Sequence, residues 1–179
     1  MSKLVIYDEE ANIIEKLDSD VEIKAKLQGI GIEFSQWKAD KEITLDMDQT
    51  AIIQAYQSEI DKLVKSKGYK SIDVVSMHAQ HPDKSILREK FLSEHIHTED
   101  EVRFFVKGSG LFTMHIEGLV YSILCSRNDL ISVPANTRHW FDMGENPEFT
   151  AIRLFNNSDG WVAKFTGDKI ADRFVKSAK

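Results

Sequence analysis

The hydrophobic pattern divides the chain into a first part with helical periodicity and a later part made of short strands. Apolar residues from Ile52 to Val64 recur three and four positions apart, which predicts a helix over about 48–65. Gly68 follows where such a helix would end. From residue 71 the pattern changes to brief apolar runs separated by turn residues. This succession of short strands is typical of a β-sandwich or β-barrel.

The same signals predict the remaining elements. Ser19 and Glu22 have the spacing of a capping box, which predicts a helix that ends near Gly29. Further helices are expected at 84–92 and from about Asp168, and the run Gly108-Ser109-Gly110 predicts a turn. The predicted strands are 3–7, 33–37, 72–77, 102–106, 111–116, 120–124, 130–133, 139–142 and 149–155.

These elements predict one mainly β domain over residues 1–179 with accessory helices. An N-terminal extension, 1–70, would pack its helices outside a β-barrel core, 71–165, and a C-terminal helix would occupy 166–179. The length of 179 residues suits a single hydrophobic core.

Composition and charge exclude several classes of protein. The chain is 42% apolar and 29% charged, values typical of a soluble globular protein. Its formal net charge of -6 disfavours nucleic acid and anionic membranes as partners. No stretch approaches the roughly 20 apolar residues of a spanning helix, and acidic residues come too early for a signal peptide. One cysteine, Cys125, excludes an intrachain disulfide, so we expect a cytoplasmic protein.

The most informative stretch contains closely spaced metal-ligating side chains. His95 and His97 are two residues apart and therefore share one face of an extended chain. Glu101 and Arg103 have the same parity if the strand continues without a bulge. Two imidazoles and a carboxylate suit a divalent transition metal. A further ligand must come from another strand, and His139 is the best candidate because it opens an aromatic strand beside a turn.

The motif His95-x-His97-x-x-x-Glu101, followed by Gly108, resembles the first motif of the cupin superfamily. Asp129, Pro134 and His139 match its second motif in part, with Asn136 where glycine is usual. Longer segments, 91–105, 128–134 and 139–144, resemble the bacterial acireductone dioxygenases of the methionine salvage pathway.

This resemblance implies a cupin jelly-roll barrel that holds one Fe(II) or Ni(II) per chain on His95, His97, Glu101 and His139. The substrates would be acireductone and O2, and the family suggests a monomer. With iron the expected products are formate and 4-methylthio-2-oxobutanoate; with nickel they are methylthiopropionate, formate and carbon monoxide. The resemblance also implies roles in metal incorporation for Glu94, in conformational coupling for Asp100 and in substrate ionisation for Arg103.

Aromatic residues near these motifs are candidates to form an apolar substrate pocket. They are Phe91, Phe104, Phe105, Phe141 and Trp161. For Arg103, a salt bridge with Glu99 is the alternative to a charge role. For the whole protein, the alternatives are another metal-dependent cupin oxidase or dioxygenase and a metal-binding cupin sensor without turnover. His115 has no ligating company in the sequence and is expected to be structural.

Overall fold

Strands dominate the computed structural model, which describes residues 1–174 and 176. The strands are β1 (Lys3–Asp8), β2 (Ile13–Leu17), β3 (Glu33–Gln36), β4 (Ser71–Met77), β5 (His95–Ile96), β6 (Glu101–Ile116), β7 (Leu119–Ser126), β8 (Asp129–Val133), β9 (Arg138–Asp142), β10 (Phe149–Phe155) and β11 (Lys164–Phe165). The helices are α1 (Asp20–Gln28), α2 (Gln49–Ala55), α3 (Gln57–Lys67) and α4 (Lys84–Leu92). A 3-10 turn covers Ile170–Arg173. The predicted mainly β fold with accessory helices is confirmed.

Two antiparallel sheets share one long strand. The first sheet has the order β11-β5-β9-β6-β7-β1-β2. The second has the order β4-β10-β6-β8-β3. The first half of β6 pairs with β8 and β10, and its second half pairs with β7 and β9. Strand β6 therefore connects the two sheets, and the side chains near its start lie close to both.

The predicted turn at residues 108–110 is wrong, because β6 runs through it without a break. Gly108 has a φ of 62°, and a Cβ there would collide with the backbone carbonyl of Glu148. A Cβ on Gly110 would collide with the ring of Phe141. The two glycines allow close approach where the strand passes from one sheet to the other.

Two hydrophobic cores lie on opposite sides of the second sheet. The main core packs between the sheets and includes Phe105, Phe112 and Phe141. A second core joins the outer face of the second sheet, through residues such as Phe104, to Ile52 and Ile60 of α2 and α3. Fully burying each such side chain contributes about 1.5–3 kcal/mol. The N-terminal helices α2 and α3 thus pack outside the strands, as predicted.

Several local predictions need correction. The helix predicted over 48–65 is divided into α2 and α3 at Tyr56, whose φ of -113° and ψ of 21° are not helical. Ser19 precedes α1 but makes no side-chain capping bond, so the capping box is not formed. Gly68 ends α3 in the left-handed conformation, as expected. Strand β2 was not predicted, because its side chains are mostly exposed and show no alternation.

The C-terminal helix predicted over 166–179 is not found in the described residues. Residues 166–169 have no regular secondary structure, and Ile170–Arg173 form the 3-10 turn. Residues 175 and 177–179, which that prediction also covered, lie outside the described part. Among the helices of the described chain, none is both long and apolar enough to cross a membrane.

Candidate metal centre

The candidate ligands reach the centre from both sheets. His95 in β5 pairs directly with His139 in β9 of the first sheet. After Ile96 the chain bends and enters the second sheet at Glu101, the first residue of β6. The condition for a shared parity of the histidines with Glu101 and Arg103, a strand that continues from residue 95, is therefore not met. The bend nevertheless brings the carboxylate back toward the histidines.

Three imidazoles and one carboxylate meet in a buried cluster. One ring nitrogen from each of His95, His97 and His139 lies within 4.8 Å of the others. The Oε2 atom of Glu101 is 3.4 Å from Nε2 of His97 and 3.7 Å from Nε2 of His139. All four side chains are almost fully buried. The three histidines form a metal-binding site, and Glu101 lies where a further ligand would be.

Backbone carbonyls fix the orientation of all three rings. The Nδ1 atom of His95 is 2.8 Å from the carbonyl oxygen of Ser93, and that of His139 is 2.8 Å from the carbonyl oxygen of Thr137. The Nδ1 atom of His97 is 3.2 Å from the carbonyl oxygen of Val162. If each Nδ1 donates a proton to its carbonyl, each Nε2 keeps a free lone pair for a metal.

The protonation states of these groups also suit a divalent metal. Burial lowers the pKa of His95 to about 4 and also lowers the pKa of His97 and of His139. Burial alone would raise the pKa of Glu101, but Arg103 and the histidines hold it below its usual value. Neutral imidazoles with an ionised carboxylate bind Fe, Ni, Mn, Co or Zn well.

Unpartnered atoms indicate where an ion fits. Within the described residues, Nε2 of His97, Nε2 of His139 and Oε2 of Glu101 are buried and have no hydrogen-bond partner. Leaving such atoms unpaired costs about 1–3 kcal/mol each. A cation bound among them would satisfy all three, so the residues present fit a metal.

Arg103 contacts the centre directly. Its Nε donates to Oε1 of Glu101 at 2.6 Å. Its guanidinium lies over the rings of Phe112 and Phe141, 5.0 and 5.1 Å from their centroids. The alternative partner, Glu99, instead accepts a hydrogen bond from Asn157. Arg103 is therefore a buried cation beside the cluster.

A cavity of about 340 Å³ opens beside the histidines. Polar groups on its wall include His95, His97 and two arginines, Arg103 and Arg153. The rest of the wall is largely apolar and is formed by Leu87, the Lys90 side chain, Phe91, Trp161, Val162, Ala163 and Phe165.

Comparison with known proteins identifies the family. Residues 3–163 match the sequence model of the ARD/ARD' family. The chain belongs to the ARD/ARD' family. It is 52% identical to the acireductone dioxygenase of Alcanivorax borkumensis, with 99% of each chain covered. It is 54% identical to that of Yersinia enterocolitica, with 98% of this chain and 99% of the relative covered.

A solved structure agrees with this assignment. The acireductone dioxygenase from Bacillus anthracis, with a cadmium ion in its active centre, superposes with a TM-score of 0.79 at 30% identity. The match covers 92% of this chain and 98% of that one. The predicted cupin fold is thereby confirmed.

The predicted pocket aromatics of this ARD/ARD' chain separate into groups. Phe91 and Trp161 line the cavity, and Phe141 lies beneath Arg103. Phe105 lies in the main core, with its ring centroid 6.3 Å from that of Phe141, and it does not line the cavity. Phe104 lies on the opposite face of β6, in the second core, so its assignment to the pocket needs correction. The cause is the two-residue alternation of a strand, which turns Phe104 away from the side of Arg103.

Two other predicted residues lie behind the cluster. Glu94 directs its carboxylate to Thr166 and His115. Asp100 accepts a hydrogen bond from the backbone N–H of Ala135, at 2.8 Å. Neither lines the cavity. The structure therefore places both beside ligands and away from the space for a substrate.

Sequence reasoning missed Arg153 as a site residue. It stands opposite Arg103 in the register of β10 and β6 and lines the same cavity. Asp73 of β4 accepts from its Nε at 2.9 Å and from its Nη2 at 2.5 Å. The signal in the sequence was an arginine among the mainly apolar residues 149–155.

Proposed function

We propose that this chain is an acireductone dioxygenase that uses one Fe(II) or Ni(II) ion on His95, His97, His139 and Glu101. The observation that carries the proposal is the meeting of these four side chains beside a small cavity that also contains Arg103. The family match over residues 3–163 supports the choice of substrate. The cadmium ion in the Bacillus anthracis relative supports the position of the metal.

The bound ion would act as a Lewis acid and a template that favours the ionised form of an ene-diol. The protein adds fixed positive charges beside the site of the ion. Arg103 presents a permanent positive charge in a site largely closed to water, where it stabilises an anion more than it would in bulk solvent. Arg153 adds a second guanidinium, partly neutralised by Asp73. The two arginines would thus bind and orient the anionic head of the substrate.

The apolar wall suits the other end of acireductone, which carries a methylthio tail. Phe91, Trp161 and Phe165 supply ring surface on one side of the cavity. A thioether gains about 0.3–1.5 kcal/mol from contact with an aromatic ring. A polar end at the metal and an apolar end at these rings would fix the direction in which the substrate enters.

We propose that the metal selects the products while the protein ligands stay the same. Iron would give formate and 4-methylthio-2-oxobutanoate, and nickel would give methylthiopropionate, formate and carbon monoxide. We further propose that Glu94 acts in metal incorporation and Asp100 in conformational coupling, because each directly precedes a ligand in the chain. A monomer in the cytoplasm, acting in methionine salvage, completes the proposal.

The test is to reload the metal-free protein with Fe(II) or Ni(II) under anaerobic conditions, add acireductone and then O2, and identify the products. We expect the keto acid with iron and carbon monoxide with nickel. Binding of metal without loss of acireductone would contradict the proposed activity and would favour a metal-binding sensor. Oxidation of a different substrate would favour another cupin oxidase.

A further inference from the structure

A hydrogen-bonded network of four polar side chains joins distant parts of the sequence behind the metal centre. The buried carboxylate of Glu94 accepts a hydrogen bond from Oγ1 of Thr166 at 2.7 Å. Its other oxygen is 3.1 Å from Nδ1 of His115. The Nε2 of His115 is 2.9 Å from the carboxylate of Glu9, in the turn after β1. His115 thus bridges two carboxylates that are 85 residues apart in the sequence.

The segment 161–166, which we call the strap, forms one side of the cavity. Trp161, Val162, Ala163 and Phe165 line the cavity from this side. Trp161 and Phe165 remain 54% and 51% exposed. The strap is therefore held in place with little burial of its own side chains.

Among the described residues, few hydrogen bonds attach the strap to the barrel. Strand β11 pairs with β5 over two residues only. The carbonyl of Val162 faces Nδ1 of His97 near one end of the strap. At the other end Thr166 donates its backbone N–H to the carbonyl oxygen of Glu94, at 3.1 Å, and its hydroxyl to the carboxylate of Glu94. Short, exposed pairing of this kind has low local stability, so each additional bond matters.

We propose that His115 and Thr166 are positioning residues that hold the strap against the cavity through the carboxylate of Glu94. His115 holds the carboxylate of Glu94 in place, and the hydroxyl of Thr166 bonds the strap to that carboxylate. Glu94 directly precedes His95, so the same carboxylate ties the strap to the strand that carries a metal ligand. Only the kinetic consequence, a better-formed binding site for acireductone, rests on the proposed function.

The docking of the strap can be measured without any turnover. Lys164 lies in the strap and is exposed, but its backbone is paired with Ile96. Trypsin needs an extended, detached segment, so the rate of cleavage after Lys164 reports how often the strap leaves β5. Cleavage after the exposed Lys67 at the end of α3 serves as an internal reference.

Two pairs of variants separate positioning from general stability. Thr166→Val removes the hydroxyl at nearly constant size, and Thr166→Ser retains it. His115→Phe removes both ring nitrogens, and His115→Asn keeps one donor near the position of Nδ1. A hydrogen bond to a charged group contributes about 1.5–3 kcal/mol. We therefore expect Thr166→Val and His115→Phe to be cleaved after Lys164 about tenfold faster or more. Thr166→Ser and His115→Asn should stay near the wild-type rate.

Kinetics then test the link to the substrate. In the metal-loaded enzyme, Thr166→Val should raise KM for acireductone several-fold and change kcat much less, because the strap forms the wall and not the metal centre. Wild-type cleavage rates in both Thr166→Val and His115→Phe would overturn the proposal. Faster cleavage with unchanged KM would overturn the role in substrate binding. Failure of the wild-type protein to consume acireductone would instead contradict the proposed function and leave the cleavage result valid.

Discussion

The two sides of the cavity are built in opposite ways. The ligand side is formed by β5, β6, β9 and the bend between β5 and β6. On it His95, His97, Glu101, Arg103 and His139 are each at most 7% exposed. The strap side is the edge of the first sheet, with two paired residues and half-exposed aromatic rings. Groups that must hold a metal in fixed geometry lie on the buried ligand side, which is therefore the rigid side of the cavity. Contacts to an apolar tail, which tolerate adjustment, lie on the loosely attached side.

The largest effect is expected from removing a ligand on the rigid side. His97→Ala should lose most of its bound metal and nearly all activity, because the remaining groups no longer surround the ion. Metal content after dialysis, measured by atomic emission, checks this. His81→Ala is a matched control, since that imidazole lies outside the cluster. Full metal retention by His97→Ala would contradict the ligand assignment.

The variant Arg103→Ala should test the role of the guanidinium charge separately from metal binding. We expect metal to remain on the three histidines and Glu101. The value of kcat/KM should fall about 10²–10³-fold, the usual cost of losing one preorganised group that stabilises developing charge. Steady-state kinetics on protein of measured metal content provide the test. Arg103→Lys keeps the charge but not the planar fork, and it should recover part of the loss. Near-normal turnover by Arg103→Ala would rule out the charge role.

Acid should destabilise the metal-free protein through the rigid side. Burial lowers the pKa of His95 from 6.5 to about 4, so the unfolded chain binds more protons than the folded one in this range. Stability should therefore fall as the pH decreases from about 6.5 to about 4, by about 2–3 kcal/mol for this histidine. Urea unfolding across this window measures the slope. A His95→Gln variant should show a shallower dependence, and an equal slope would exclude His95 as a cause.

The smallest effect is expected on the strap. Trp161→Ala should raise KM for acireductone about tenfold or less, leave metal content unchanged and alter stability little, because the ring is half exposed. Leu45→Ala removes another exposed apolar side chain away from the cavity and should have no kinetic effect. A large loss of metal in Trp161→Ala would show that metal binding on the ligand side depends on the strap side.

The candidate metal ligands could be found in the sequence because most of them lie close together in the chain. His95, His97 and Glu101 lie within seven residues. His139 lies at the start of an aromatic strand, just after a turn. The crossing of β6 between sheets was not predictable, since Gly108-Ser109-Gly110 has the same composition as a turn. Its true role depends on the neighbours Glu148 and Phe141.

Residues that depend on strand register were also missed. Arg153 joins the site only because β10 pairs with β6 opposite Arg103, and no spacing along the chain reports that pairing. Phe104 was offered for the pocket as one of the aromatic residues near the motif, although alternation along the strand turns it away from Arg103. The strap could not be predicted as a paired segment from the sequence. It has little apolar periodicity, and its partner β5 lies in another part of the chain.

The most direct test of the account is a single turnover of the iron-loaded protein with acireductone and ¹⁸O2, followed by mass spectrometry of the products. The account predicts one labelled oxygen in formate and one in the carboxylate of 4-methylthio-2-oxobutanoate. Stoichiometric iron binding with intact acireductone, or products without the label, would contradict it.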